Sequence, residues 1–229
     1  MAKKLDNTEE RIHKVEEALG RTEQFIEDNQ RTLIIIISVI VLVILGYFGF
    51  KRYYIQPREE EAQSQMWMAE KYFGMDSLDK ALNGDGAYPG FLTIIDDYGM
   101  TKSANLSKYY AGLIYLKKGE FQTALDYLKK FKKRDAMVAA MAGAAMGDAY
   151  MELGDTKKAL DHYLAAAEDY PNDFTTPVFL TKAAWTHEML KEYDKANAIY
   201  DRIRKEYPKS NEARNVEKSI TRNNILKGS

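Results

Sequence analysis

Residues 32–50 run for 19 consecutive positions without a charged side chain, as Thr-Leu-Ile-Ile-Ile-Ile-Ser-Val-Ile-Val-Leu-Val-Ile-Leu-Gly-Tyr-Phe-Gly-Phe. As a helix this run is about 28 Å long, close to the roughly 30 Å hydrocarbon thickness of a bilayer. Arg31 closes one end, and Lys51 and Arg52 close the other, with Tyr47, Tyr53 and Tyr54 placed as an interfacial aromatic belt would be. A core helix of a soluble protein would keep a polar face, and this run has none. A cleaved signal peptide would have a shorter apolar region nearer the start, followed by a small-x-small site. The segment therefore predicts an uncleaved single-span anchor, with Leu33, Ile40, Leu45 and Phe50 among its lipid-facing side chains. The lipid bilayer is the first expected partner. Basic residues do not orient it: Lys14, Arg21 and Arg31 precede the span within 20 residues, and Lys51, Arg52 and Arg58 follow it.

The rest of the composition removes several function classes. With 33 Lys+Arg against 34 Asp+Glu the net charge is −1, which argues against a basic nucleic-acid footprint. The absence of cysteine excludes disulfides, thiolate metal sites, thiol catalysis and lipidated-cysteine anchoring. The three histidines, His13, His162 and His187, form no metal-binding spacing, and no phosphate-cradling glycine loop or nucleophile elbow is present. Neither a cofactor nor a metal nor catalysis is expected.

Five regions are expected. Residues 1–31 read as an amphipathic helix with a weak a/d seam of Leu5, Thr8, Ile12, Val15, Leu19, Thr22 and Ile26. The span occupies 32–50. Residues 51–104 read as a juxtamembrane helical hairpin. Its first helix would run from Glu59 to Leu82 and stop at Asn83-Gly-Asp-Gly86. Its second would run from Pro89 to a C′ glycine at Gly99. Residues 105–209 repeat. Gly112, Tyr115, Gly119, Phe121 and Ala124 recur 35 residues later as Gly147, Tyr150, Gly154, Asp155 and Ala159. A looser copy follows, with Ala184, His187, Tyr193, Ala196, Tyr200 and Pro208. Small–aromatic–small spacing with a period near 34 is the tetratricopeptide signature, in which small residues let two antiparallel helices approach and aromatics fill the gaps. The 51–104 hairpin then reads as a divergent repeat. Residues 210–229 suit a capping helix and tail, with Val216, Ile220, Ile225 and Leu226 as its apolar face. The fold class is all-α: an N-terminal helix, a transmembrane helix and a tetratricopeptide-repeat solenoid.

Such arrays present positions 2, 5, 9 and 12 of each first helix on the concave face. Here these are Leu106, Tyr109, Leu113 and Leu116, then Met141, Ala144, Asp148 and Met151, then Val178, Thr181, Trp185 and Glu188. A surface rich in methionine and aromatics adapts to varied apolar segments, so this groove is the expected partner site. The run Lys129-Lys130-Phe131-Lys132-Lys133-Arg134 closes a second helix, where cations oppose the helix dipole. Its other reading is contact with an acidic partner or lipid headgroups.

A short N-terminal helix, one span and a small repeat domain starting at the membrane together resemble the YfgM-like family. The stretches Ala81-Leu-Asn-Gly-Asp-Gly-Ala-Tyr-Pro-Gly-Phe-Leu92 and Asn105-Leu-Ser-Lys-Tyr-Tyr-Ala-Gly112 are similar to Bacteroidetes members of that group. The resemblance implies a bacterial inner-membrane protein with a cytoplasmic N-terminus and periplasmic repeats. It also implies an accessory role at the SecYEG translocon, beside a membrane-anchored periplasmic chaperone with a prolyl-isomerase-like domain, and secretory or envelope proteins as clients. Two other expectations stay open. One is an assembly factor for another membrane complex, such as cytochrome c maturation, and the other is a cytoplasm-facing adaptor.

Overall fold

The computed structural model describes Gly20 and residues 23–228, and among these every regular element is helical. The predicted seam at Leu5, Thr8, Ile12, Val15, Leu19 and Thr22, like His13, lies outside the described residues. The chain divides into two compact units, 1–57 and 58–229.

In the first unit, helix α1 (Gln30–Phe50) buries no residue. Ile40, Leu45 and Phe50 are exposed and Leu33 is half-exposed. It is long and apolar enough to cross a membrane. A π-helical turn, Lys51–Ile55, follows, in which the Gln56 amide reaches back to the Lys51 carbonyl. Pro57 explains it, because a proline cannot donate to the carbonyl four residues back and its ring crowds that turn.

The second unit is a succession of helices: α2 (Gln56–Gly74), α3 (Leu78–Asn83), α4 (Phe91–Asp97), α5 (Lys102–Lys117), α6 (Phe121–Lys130), α7 (Ala136–Glu152), α8 (Thr156–Asp169), α9 (Thr176–Met189), α10 (Tyr193–Glu206), a 3₁₀ turn (Glu212–Asn215) and α11 (Val216–Lys227). The three full repeats pair α5 with α6, α7 with α8 and α9 with α10. Thr101, Asp135 and Asp155 cap α5, α7 and α8, each side chain accepting from the amide three residues on.

Every first helix of the array ends in the same way. The amide of a left-handed residue bonds three residues back and the next amide bonds five back: Gly119 and Glu120, Gly154 and Asp155, Lys191 and Glu192. This is the Schellman closure, for which glycine is the natural residue. Asp76 and Ser77 make the same pair of bonds after α2. The expected helix from Glu59 to Leu82 is therefore two helices, broken at Asp76, because the chain turns there as it does in each repeat. α3 and α4 together take the place of a second helix, interrupted by the insertion Gly84–Gly90. A Cβ on Gly90 would strike the Leu82 carbonyl, and one on Gly84 the Tyr88 carbonyl, so only glycine fits either end of the insertion. Gly99 does not have the left-handed conformation expected of a C′ glycine.

Three clusters of buried side chains run through the unit. Phe91, Ile94 and Ile114 centre the first, Tyr109, Leu125 and Leu128 the second, and Tyr163, Leu180 and Ile203 the third. α11 contributes Val216, Ile220 and Asn223 to the array, at i, i+4 and i+7. Ile225 and Leu226, expected on the same face, are 67% and 47% exposed instead, since they fall on the far side of the helix.

Lys191 alone among the three repeat closures sets a side chain in the left-handed region, at φ 59°. Lys191→Gly is expected to raise stability by about 1 kcal/mol, read as a higher thermal midpoint in circular dichroism. An unchanged or lower midpoint would show that the Lys191 side chain contributes packing that offsets its backbone strain.

Candidate partner-binding site

The small residues of the repeats decide which groove positions stay open. α7 is built from Ala139, Ala140, Ala142, Gly143, Ala144, Ala145 and Gly147, all buried, so it sits deep between its neighbours. A Cβ on Gly147 would lie 2.5 Å from the Tyr163 ring, and one on Gly112 would lie 2.6 Å from Leu128. Tyr109, read as a groove residue, fills the space that α7 leaves. It is 5% exposed, with its ring 5.8 Å from Phe131 and 5.7 Å from Tyr110. Leu113 and Leu116 are half-buried against the same cluster. The first helix of the first repeat thus gives its groove positions to the core.

In the next two repeats the positions separate by chemistry. Met141 is 40% exposed and Trp185 54%, whereas Ala144 is buried and Met151 packs half-buried on the third cluster. Asp148 and Glu188 are not free groove charges. Asp148 accepts from the Tyr163 hydroxyl at 2.7 Å and from Lys182 Nζ at 2.5 and 2.7 Å. Glu188 accepts from the Tyr200 hydroxyl at 3.1 Å and from the Arg222 guanidinium at 2.5 Å. Each carboxylate ties the second helix of its own repeat to the first helix of the next. The signal was in the sequence: each acid stands 34 residues before its cation, one repeat period.

Beside these clamps, a hollow of about 280 Å³ is lined by Val178, Lys182, Trp185, Tyr200, Val216 and Ser219, among others. A larger one of about 670 Å³ adjoins it through Val178, Asn211 and Glu212, and is walled by Phe174 and Tyr207. Phe174, Lys182 and Tyr200 were not among the sequence-expected groove residues. The two buried or half-buried histidines are held by neighbours: His162 stacks on Tyr150 at 5.2 Å, and His187 Nδ1 lies 2.7 Å from Glu192. Burial, then Lys133 nearby, lowers the pKa of His162.

The tetratricopeptide repeat family model matches residues 107–136, 145–173 and 180–210. The chain carries tetratricopeptide repeats. They form a protein–protein interaction scaffold, and the family is a non-enzymatic one. The matched segments begin within α5, α7 and α9, so α2, α3 and α4, the part read from the sequence as a divergent repeat, lie outside the match. No curated protein matches the chain.

Two expectations follow from the clamp. Asp148→Ala leaves the buried Tyr163 hydroxyl without its acceptor and should cost about 1–3 kcal/mol, with coupling to Lys182 in a double-mutant cycle. Additive effects of Asp148→Ala and Lys182→Ala would show that the two do not act together. Burial pushes the phenols of Tyr109 and Tyr200 up to about 12 and, with the Asp148 hydrogen bond second, raises that of Tyr163 further. The folded state holds these phenols protonated more firmly than the unfolded chain does, so their contribution is complete below about pH 10 and is lost as pH rises through about 12. Alkaline titration at 295 nm should show these tyrosines ionising together with loss of helicity. Full ionisation of every tyrosine near pH 10 with helicity intact would contradict it.

Proposed function

We propose that the chain is a membrane-tethered scaffold that receives or organises secretory and envelope proteins at the Sec translocon, with its repeats on the periplasmic side. The observation that carries the partner-binding part is the open, partly aromatic trough at Trp185 and Phe174. Its exposed aromatic side chains are Trp185 and Phe174, and Met141 is exposed on α7; aromatic and methionine side chains accommodate varied apolar segments. The apolar α1 supports the tether. A tether raises the effective concentration of the trough for anything emerging at the same membrane, so weak contacts suffice. The translocon, its periplasmic chaperone neighbour and the orientation rest on the resemblance to the YfgM-like family.

Purification of the full chain from native membranes in mild detergent, with a photocrosslinker in place of Trp185, should recover translocon subunits together with a periplasmic chaperone. Ser at both Met141 and Trp185 should abolish that recovery with helicity unchanged. Recovery of cytochrome-maturation proteins without the translocon would overturn the function and leave the fold as described. Protease digestion of the repeats from the cytoplasmic side would overturn the orientation.

A further inference from the structure

The turns that lead from each second helix into the next first helix carry an unusual surface. Between α6 and α7 stand Lys132, Lys133 and Arg134, held in place from below. Phe131 is 8% exposed, and the buried Asn105 side chain both accepts from the Lys132 amide at 2.7 Å and donates to the Lys132 carbonyl at 2.9 Å. This presents the loop beside Lys108 on α5, whose pKa is lowered by its own burial and then by the charges of Lys132 and Lys130. Among the described residues no carboxylate pairs with Lys108, Lys132, Lys133 or Arg134. Asp135, the acid of this turn, is engaged in capping α7. Folding thus brings Lys108 and Lys130, from two helices, beside the 132–134 loop, with Asp135 as the neighbouring acid and no ion pair to these cations among the described residues.

Exposed apolar side chains stand at the corresponding turns. Met100, Met137 and Phe174 are 65%, 51% and 81% exposed. Phe174 sits on a turn pinned by Asn172, whose side-chain oxygen accepts from the amides of Phe174 and Thr175 at 3.0 and 2.8 Å. Asp173 stands next to it, and Glu206, Lys209 and Glu212 line the hollow that Phe174 walls. Contacts connect this edge to the point where the chain enters the unit: the Arg58 guanidinium donates to the Asp97 carbonyl, and the Glu59 carboxylate accepts from the amides of Lys102 and Ser103. Arg58 follows Phe50, the end of α1, by 8 residues in the chain.

We propose that this edge, with Lys132, Lys133 and Arg134 as its charged centre and Met137 and Phe174 as its apolar contacts, docks on the anionic phospholipid surface of the bilayer that α1 crosses. The inference rests on α1 being a span, and not on the translocon reading. The chemistry favours headgroups over a discrete phosphate or carboxylate ligand. Lysines dominate the cluster as point charges, no fork-like bidentate pair is formed, and apolar side chains flank the charges as they do on surfaces that enter the headgroup layer.

The chain has no cysteine, so a single Met137→Cys takes an environment-sensitive fluorophore at one place. A matching label at Gln122→Cys reports the opposite edge, where first helices turn into second ones. The full chain is reconstituted into phosphatidylcholine vesicles with and without phosphatidylglycerol, and quenching by lipid-borne spin labels is read. Quenching at position 137 in phosphatidylglycerol vesicles, weaker in phosphatidylcholine and absent at 122, is the expected result. Replacing Lys132, Lys133 and Arg134 by Gln should shift the docked-to-undocked ratio by roughly a hundredfold. A label at Phe174→Cys should behave as that at 137.

No quenching at 137 in chain that floats with the vesicles would overturn the docking while leaving the anchor. Failure to float would overturn both. Release by inorganic phosphate beyond that of chloride at equal ionic strength would assign the cluster to a small anion. Protection of position 137 only in native membranes would assign it to an acidic protein. Either of these two results overturns the lipid surface.

Discussion

The close approach of two helices at a residue without a side chain is the contact on which the array depends. At Gly147 the Tyr163 ring occupies the volume a Cβ would need, and at Gly112 the Leu128 side chain does the same. Because the helices meet this closely, an aromatic or leucine on the second helix reaches past the first and becomes part of the interface with the next repeat. Tyr163 shows the consequence: its ring packs on Gly147, while its hydroxyl reaches Asp148 and through it Lys182 of the following repeat. Packing within a repeat and docking between repeats are thus two ends of one side chain. Helical arrays gain stability from such nearest-neighbour interfaces rather than from a single core.

The same closeness determines how much groove is left. Where α7 sinks between its neighbours on alanine and glycine, the space opposite is taken by Tyr109, and the first part of the concave face closes. Further along, α9 carries Phe179, Leu180 and Trp185, and only the first two turn inward. Trp185 remains on the surface, where α9, α10 and α11 leave a hollow lined by Val178, Tyr200 and Val216. The apolar Ile225 and Leu226 lie on the far side of α11, away from the face that carries Val216, Ile220 and Asn223.

Polar groups supply register. The Schellman closures set where each first helix stops, and the 34-residue acid–cation clamps set how one repeat sits against the next. Exposed salt bridges contribute little on their own. Asp148 and Glu188 differ, because each also satisfies a tyrosine hydroxyl belonging to a buried residue, so losing the acid strands a polar group in the interior.

The sequence by itself determined the helical class, the apolar α1 and the repeat pattern of the matched region. These depend on local periodicity: an uncharged run of bilayer length, small residues one period apart, and glycines at helix ends. It also held the clamps, as opposite charges one period apart, though nothing local distinguishes such a pair from two solvated side chains. Only the tertiary structure decided that Tyr109 belongs to the core, that the helix expected over 59–82 turns at Asp76, and that Ile225 and Leu226 face away from the array. In each case the outcome depends on which neighbour arrives to cover a residue. A heptad or a repeat position states which side of a helix a residue occupies. How deeply the next helix sinks follows from packing between segments far apart in the chain.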